Sequence, residues 1–465
     1  MEVNKKGITL VALVITIIVL LILVGITLTV TLGDEGILAK AQSSRVEQRY
    51  ASIMDEVRIR ESEIEIAFEK GEDGETRKAF VERLGNNGLI DDIEDRISQD
   101  YSIIYLGRID RDNYKHTIEI KNATIEGHKA EQRIKELPDA NAPGNEHLKN
   151  LTLIIRTTQA NEKVFIPISG IKNLRVNWDA ANHPNDFIIP KIEEDTKMYF
   201  ADNKVPTFTY SKPNTYEVQI KGEGGPLASL GGSTVADFFY RNENLVGIKS
   251  WGEHNFTYIG SLGTYIEGEI PSPSRNSFKN ISYFNAVFKE CPITSIHEDL
   301  LLGLPYLKTV DKAFVKCRNL EAIPENLFSN NPFIEKFSNT FGYCNSIKTI
   351  PEKLFASCPN VDSFYATFSS CLSLETIPEN LFTNCTNVER FNDTFSSCYA
   401  LTSIPLKLFD NNLKVTDFTR TFNWCKNLTG MAPNIWDRKS VTGFERCFSN
   451  CNKLSNYRDI PYSWT

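Results

Sequence analysis

The sequence predicts a multidomain protein with an N-terminal transmembrane helix, a small α+β region, a β-sandwich and an α/β solenoid of repeats. Three observations predict this fold class: an uncharged apolar run near the start, a β-rich middle segment, and phenylalanines that recur every 26 or 27 residues after position 288. The predicted boundaries are 1–7 for a leader, 8–32 for the transmembrane helix, 37–135 for a helical stalk or small α+β region, 136–149 for a linker, 150–224 for the β-sandwich and 228–465 for the solenoid with a C-terminal cap.

The composition excludes several classes of function. The 465 residues include 51 basic and 59 acidic side chains, a net charge of −8, whereas a nucleic-acid-binding protein needs a basic face against phosphates. We therefore expect no nucleic-acid partner. Six histidines supply little material for acid–base or metal sites, and the chain has no Cys-x-x-Cys pair for zinc. The sequence predicts no catalytic residues, no metal and no other cofactor.

The apolar run Ile8–Leu32 contains 25 residues without a charge. At about 1.5 Å per residue, a helix of this length crosses a hydrocarbon core of roughly 30 Å. Lys5 and Lys6 precede the run and an Asp-Glu pair follows it, so the positive-inside rule places the N-terminus in the cytoplasm and the rest outside. We expect a single-pass protein of the cell membrane, displayed at the cell surface.

The start of the chain, Lys5-Lys6-Gly7-Ile8-Thr9-Leu10-Val11-Ala12-Leu13, resembles the prepilin signal of type IV pilins and pseudopilins. The resemblance implies a prepilin peptidase as a partner, with cleavage between Gly7 and Ile8 and methylation of Ile8. That family usually has Glu as the fifth residue after the cut, where this chain has Ala12. The difference argues against filament assembly more than against processing, and an uncleaved anchor is the alternative.

The region after the apolar run predicts one long helix over 37–69, because apolar residues recur there at steps of three, four, five or seven among many charges. A short helix over Arg77–Leu84 and strands near Ser102–Leu106 and His116–Ile120 complete the small α+β region. Glu136–Asn145 is rich in Pro, Asn, Asp and Gly and predicts a linker.

The segment 150–222 alternates β-rich stretches with turn residues, which predicts strands at Leu151–Thr157, Lys163–Ile168, Leu174–Trp178, Thr207–Tyr210 and Tyr216–Ile220. The sequences around Trp178-Asp179 and from Phe208 to Val218 resemble the polycystic-kidney-disease-type β-sandwich. Ala180-Ala181 stands where that family has Gly-Asp-Gly. The resemblance implies a spacer or binding module, and we expect Trp178, Tyr210 and Tyr216 in its core.

The C-terminal half is periodic. Phenylalanine occupies one repeat position, at Phe288, Phe314, Phe341, Phe368, Phe395, Phe422 and Phe448. Cysteine follows three residues later, at Cys291, Cys317, Cys344, Cys371, Cys398, Cys425 and Cys451. A fixed period of this length predicts coils that bury their apolar faces only against neighbouring coils.

Within one coil, Val388, Phe391 and Phe395 are spaced for one face of a two-turn helix, and Leu401–Ile404 predicts a short strand. Asn242 takes the cysteine position in a first coil that begins near Ser233. These repeats resemble the BspA-like leucine-rich repeats of bacterial surface proteins over about residues 230–455. The resemblance implies an adhesion or binding surface for an unidentified extracellular protein or glycan.

The cysteines predict a structural ladder. Cys358 and Cys385 occupy a second repeat position, where Asn331 and Asn412 stand in the flanking coils. Because Asn bonds backbone groups and Cys is a small buried hydrophobe with a weak donor, this exchange indicates a structural role. We expect buried free thiols. Disulfides are the alternative, with Cys447 and Cys451 as the pair that the last coil could form.

Binding is expected from exposed side chains that break the period. The candidates are Tyr343, Tyr399, Trp424, Trp436 and Arg420, whereas the repeated phenylalanines are expected in the core. Three functions compete: an adhesin or interaction protein, a minor pilin-like subunit that displays the repeats on a filament or secretion apparatus, and an enzyme. The first is favoured, because Ala12 argues against the second and no acid–base cluster supports the third.

Overall fold

A computed structural model describes most of the chain after residue 36. The described residues are 37–69, 73–90, 95–97, 103–108, 114–120, 130, 133–194, 204–231, 242–254, 256, 258–274, 277–278 and 281–465. The leader, the apolar run 8–32, the processing site Gly7–Ile8 and the start of the proposed first coil at Ser233 lie outside these ranges. Two compact units make up the chain, Met1–His128 and Lys129–Thr465.

The first unit packs two helices on a small antiparallel sheet. Helix α1 spans Ile37–Glu69 and α2 spans Arg77–Asn86. The strands, in the order β1-β2-β3, are Arg96–Ile97, Ile103–Arg108 and Tyr114–Glu119. The Thr76 hydroxyl caps α2 by accepting from the Ala79 N–H at 3.2 Å. Both helices and strands β2 and β3 lie where the sequence predicts them, because their apolar periodicity is local, and β1 was not predicted.

The second unit begins with two sheets that share one apolar core with the repeats. The larger sheet has the order β10-β4-β9-β11, and β6 also pairs with β9. Its strands are β4 Leu151–Arg156, β6 Ile168–Asn177, β9 Thr215–Leu230, β10 Leu245–Trp251 and β11 Tyr258–Ile259. The smaller sheet has the order β5-β8-β7, formed by Glu162–Phe165, Lys204–Tyr210 and Lys191–Glu194.

Of the three aromatic residues expected in the core, Trp178 and Tyr210 are interior, and Tyr216 is half-buried against the core. The Tyr210 hydroxyl donates to the Trp178 carbonyl at 2.7 Å. The Tyr216 ring stacks on Tyr210 with centroids 3.9 Å apart. The residues that follow Asn242 in the proposed first coil, Leu245 and Ile248, lie instead in β10, an edge strand antiparallel to β4.

The repeats after Tyr283 stack one coil on the next. Isolated parallel bridges connect the same position of successive coils, from Tyr283 through Thr309, Lys336, Ser363, Arg390 and Asp417 to Gly443. Strands β12 Gly268–Ile270 and β13 Ile293–Ile296 pair in parallel at the start of the stack. The repeated phenylalanine rings form a buried column, with adjacent centroids 5.5–5.8 Å apart and planes within 5–11° of parallel.

The predicted coil conformation is wrong. The Phe395 N–H donates to Thr421 in the next coil at 2.9 Å, not to Phe391 as an α-helix would require. The chain from Phe391 to Cys398 instead forms two four-residue turns, closed by Thr394 N–H to Phe391 O and Cys398 N–H to Phe395 O at 3.0 and 3.3 Å. Leu401–Ile404 is not a strand.

The third residue of each of these turns has positive φ, as in type II β-turns. In seven coils this backbone angle lies between 52° and 64°, and none of the residues is glycine. Hydrogen bonds to the next coil hold the left-handed residues in place. For Asp393 and Ser397, the N–H groups donate to Thr419 and Asn423 at 2.9 and 2.7 Å.

The predicted fold class is therefore wrong as well. The described part of the chain has few helices and is a β-rich fold of several sheets, rather than the predicted α/β solenoid, and the predicted transmembrane helix lies outside it. The apolar positions of the repeats are interior as predicted, but turns rather than helices connect them. In the ranges that the structure describes, no helix is long and apolar enough to cross a membrane.

Candidate binding surface

The paired turns decide which repeat side chains reach the surface. Each second turn begins at a column phenylalanine and ends at a column cysteine, and both are buried. Two residues of each coil lie outside this buried packing. One is the left-handed residue between the phenylalanine and the cysteine, and the other is the residue directly after the cysteine. Tyr343 and Trp424 hold the first of these positions in their coils, with 43% and 41% of their surface exposed. Leu372 and Tyr399 hold the second, at 38% and 40%.

These four residues and Lys426 form a surface that we call the aromatic strip. The Lys426 ammonium lies 4.6 Å from the centroid of the Trp424 ring and 5.0 Å from that of Tyr399. A cation over two ring faces is attracted by both ring quadrupoles. Lys426 therefore holds the two aromatic rings of neighbouring coils together as one cluster.

The backbone beneath the strip is fixed by hydrogen bonds between coils. The N–H groups of Tyr343, Ser397 and Trp424 donate to the carbonyls of Ser369, Asn423 and Ser449 at 2.7, 2.7 and 2.8 Å. A side chain held on an ordered backbone loses less entropy when a ligand binds to it. The strip is thus preorganised.

Two of the five candidate binding residues named from the sequence, Arg420 and Trp436, do not belong to the aromatic strip. The Arg420 guanidinium makes a bidentate pair with Asp393, with Nε and Nη2 donating at 2.8 and 2.7 Å, and this carboxylate raises the pKa of Arg420. Trp436 is half-buried and packs edge-on against Phe448, with centroids 6.2 Å apart. Trp436 is therefore a core-facing residue, and the prediction that it offers an exposed binding ring is wrong.

Leu372 and Lys426 belong to the strip, although neither stood out in the sequence. The signal was present in the repeat register, because Leu372, Tyr399 and Lys426 are each 27 residues apart. They share the position after the column cysteine and so share its exposure.

A cleft of about 310 Å³ lies in the first coils of the stack, lined by Glu290, Cys291, Pro292, Lys316, Arg318 and Asn319. Lys316 pairs with Glu290 at 2.8 Å. Lys316 occupies the same repeat position as Tyr343 and Trp424, and Arg318 the same position as Tyr399 and Lys426. The cleft is therefore lined by residues at the same two repeat positions that carry the strip, in coils nearer the start of the stack.

The cysteines lie inside the coils. All ten are free and buried. In the main column, each thiol donates to a carbonyl of the preceding coil, as Cys344, Cys371 and Cys398 do to Phe314, Phe341 and Phe368 at 3.1, 3.2 and 3.2 Å. Burial raises the pKa of Cys371 to about 12, so the nucleophilic thiolate is scarce near neutral pH. Cys447 and Cys451, the alternative disulfide pair, are free thiols as well.

The second ladder exchanges Asn and Cys at one position. Asn331 and Asn412 each donate to two carbonyls of the preceding coil, with Asn412 reaching Phe382 at 3.1 Å and Cys385 at 2.9 Å. The Cys385 thiol faces the equivalent carbonyls of Phe355 and Cys358 at 3.7 and 3.6 Å. The amide of Asn can donate to both acceptors, whereas the thiol of Cys has one hydrogen to share between them.

Comparisons of the chain with protein-family models, with curated proteins and with solved structures gave no match. The resemblances to pilin signals, to the polycystic-kidney-disease-type β-sandwich and to BspA-like repeats remain predictions from the sequence.

Proposed function

We propose that this chain is an interaction protein of the cell surface that binds an extracellular protein or glycan through the aromatic strip. The observation that carries the proposal is the cluster of Tyr399, Trp424 and Lys426, in which two exposed rings share one cation. Exposed aromatic side chains on an ordered scaffold are the typical anchors of binding sites. In the proposed arrangement, the apolar run 8–32 holds the chain at the membrane.

The strip has two properties that suit a binding role. Its rings gain contact area with a ligand at little entropic cost, because the turns beneath them are hydrogen-bonded from coil to coil. Its five members also come from four successive coils between Tyr343 and Lys426, so a ligand that covers them contacts several repeats at once. Such a surface favours an extended ligand over a small molecule, which a closed cavity would hold.

The test compares binding of the full-length chain, in detergent micelles, to a printed panel of extracellular-matrix proteins and polysaccharides. The variant combines Tyr399→Ala with Trp424→Ala, and the control is Tyr462→Ala, which truncates a ring that is 95% exposed outside the strip. We expect binding to at least one panel member to weaken tenfold or more in the double variant and to stay unchanged in the control. Absence of binding by the unmodified chain, or equal binding by all three proteins, would contradict the proposal.

A further inference from the structure

The face that carries the aromatic strip has a charge opposite to that of the whole molecule. We define the ribbon as residues 315–319, 342–346, 369–373, 396–400, 423–427 and 449–453, the five residues after the column phenylalanine in six coils. The ribbon contains four basic residues, Lys316, Arg318, Lys426 and Lys453, and no acidic residue, and the same five positions of the first coil, 289–293, add one basic and one acidic residue, Lys289 and Glu290. The chain as a whole has a net charge of −8. In two coils a buried leucine follows the ribbon segment, and an acidic residue comes directly after that leucine, at Glu321 and Glu375.

The basic residues stand at both ends of the ribbon, with the apolar side chains between them. Arg318, Lys426 and Lys453 are exposed, whereas Lys316 is paired with Glu290. Four coil steps separate Arg318 from Lys426, which corresponds to about 19 Å at the usual spacing of hydrogen-bonded strands. A ligand that meets both cations must therefore be extended and must carry more than one negative charge.

The backbone of the ribbon offers no edge to a peptide strand. The N–H groups of Lys316, Tyr343 and Ser397 already donate to the next coil, at 2.7 Å in each case. Strand addition relies on free main-chain groups, so recognition has to come from side chains. Besides the strip, these are mostly asparagine and serine, which hydrogen-bond hydroxyl groups in either direction.

We infer that the ribbon binds a linear anionic polysaccharide, with Arg318, Lys426 and Lys453 facing its acidic groups and the rings of Tyr343, Tyr399 and Trp424 contacting its sugar rings. The inference deepens the proposed function and rests on it. Charge complementarity, the separation of the cations and the occupied backbone together favour this ligand over an acidic polypeptide.

The experiment measures binding of the full-length chain in micelles to dextran sulfate, carboxymethyl dextran, unmodified dextran and poly-glutamate. The two charged dextrans and the neutral one differ only in their acidic groups. We expect binding to the charged dextrans, at least tenfold weaker binding to unmodified dextran, and a loss of affinity as salt concentration rises. The variants Arg318→Gln and Lys426→Gln should each weaken binding several-fold. Lys407→Gln, which removes the same charge from an exposed site outside the ribbon, should have no effect.

Several results would overturn the inference. Stronger binding to poly-glutamate than to either charged dextran would identify an acidic polypeptide instead. Equal binding to charged and unmodified dextran, or wild-type binding by Arg318→Gln and Lys426→Gln, would show that the ribbon charges do not select the ligand. If no dextran binds while the panel experiment shows binding that depends on Tyr399 and Trp424, the inference fails and the proposed function stands.

Discussion

Arg438 donates from Nη1 to the backbone carbonyl of Asn412 at 3.0 Å, and this bond ends the second side-chain ladder of the repeats. Its Nη2 donates to the Phe409 carbonyl at 2.8 Å. Asn412 makes the same pair of contacts one coil earlier, to Phe382 and Cys385. An arginine therefore replaces the Asn or Cys of the earlier coils and satisfies the last two carbonyls of the column.

Substitution of Arg438 is expected to destabilise the repeats. Arg438→Met keeps most of the side-chain volume but leaves the carbonyls of Phe409 and Asn412 without these donors. Burial also lowers the pKa of Arg438, and Asp410 partly opposes that shift. Removing the buried guanidinium therefore also removes its desolvation cost, which offsets part of the stability lost with the two hydrogen bonds. We expect the free energy of unfolding to fall by about 1–3 kcal/mol.

The measurement for Arg438 is urea unfolding of the full-length chain, followed by tryptophan fluorescence. Arg446→Met is the matched control, because Arg446 is exposed in the adjacent coil. A midpoint for Arg438→Met that equals that of Arg446→Met would show that the two carbonyls need no donor.

Exchange between the two ladder residues is expected to be tolerated. Cys385→Asn supplies an amide donor to the carbonyls of Phe355 and Cys358, as Asn412 does one coil later. We expect it to change the free energy of unfolding by less than about 1 kcal/mol. Cys385→Leu removes the donor and adds volume at a fully buried site, so it should cost about 1–3 kcal/mol. Thermal unfolding of both variants decides between these outcomes, and equal losses would mean that volume alone governs the position.

The left-handed turn residues give a test of the corrected coil conformation. Ser397 has a φ of 62°, which a β-branched side chain tolerates poorly and asparagine tolerates well. Ser397→Val should lower the free energy of unfolding by about 1–3 kcal/mol, while Ser397→Asn should leave it nearly unchanged. The control is Ser403→Val, at an exposed position without positive φ. If both valine variants unfold at the same urea concentration, Ser397 is not held in the left-handed region.

The same turns show why the sequence predicted part of the fold and missed the rest. Helix α1 and most strands of the first 230 residues follow periodicities that are local, so their residues could be recognised directly, whereas the short strands β1 and β7 carry no such pattern and were missed. In the coils, Phe391 and Phe395 are four apart because each turn advances the chain by four residues, which imitates helical spacing. The bonds that distinguish the two conformations join residues 26 apart, such as Phe391 and Asp417. No glycine marked the positive φ of Asp393 or Ser397.

The exposed aromatic residues of the candidate binding surface were predictable wherever the repeat is regular. Tyr343, Tyr399 and Trp424 were recognised as non-periodic aromatics between core positions, and the structure exposes all three. The prediction failed for Trp436, whose coil, the one before the last, has Gly430-Met431-Ala432 in place of the usual Ile-Pro. Its ring fills space beside Phe448 near the end of the core. The exposure of a side chain in an irregular coil cannot be inferred from the exposure of the equivalent position in the regular coils.

His254 provides a pH-dependent test of the packing within the larger sheet, because its ring contacts the backbone of β4 and of β9. Its Nε2 accepts from the Leu151 N–H at 3.1 Å, and its Nδ1 lies 2.9 Å from the Gly222 carbonyl. Desolvation lowers the pKa of this buried histidine, although its backbone hydrogen bonds and Glu253 oppose the shift. The neutral ring satisfies both backbone groups, whereas a protonated ring could not accept from Leu151.

The direction of the pH effect follows from the lowered pKa. In the unfolded chain His254 takes up a proton as the pH falls through about 6.5, while in the folded chain it stays neutral to a lower pH. The unfolded state therefore binds more protons in this window, and the contribution of His254 to stability is present above pH 6.5 and lost below it. The slope should be at most about 1.4 kcal/mol per pH unit.

Urea unfolding of the full-length chain between pH 5 and 7.5 measures this contribution. His254→Asn should be less stable than the wild type at pH 7.5, and its stability should fall less steeply as the pH is lowered, because the titrating group is absent. His183→Asn is the control, since His183 is an exposed histidine of the same unit, and it should keep the wild-type slope. Parallel pH profiles for the wild type and His254→Asn would mean that His254 titrates alike in the folded and unfolded chains, which is incompatible with its burial against Leu151 and Gly222.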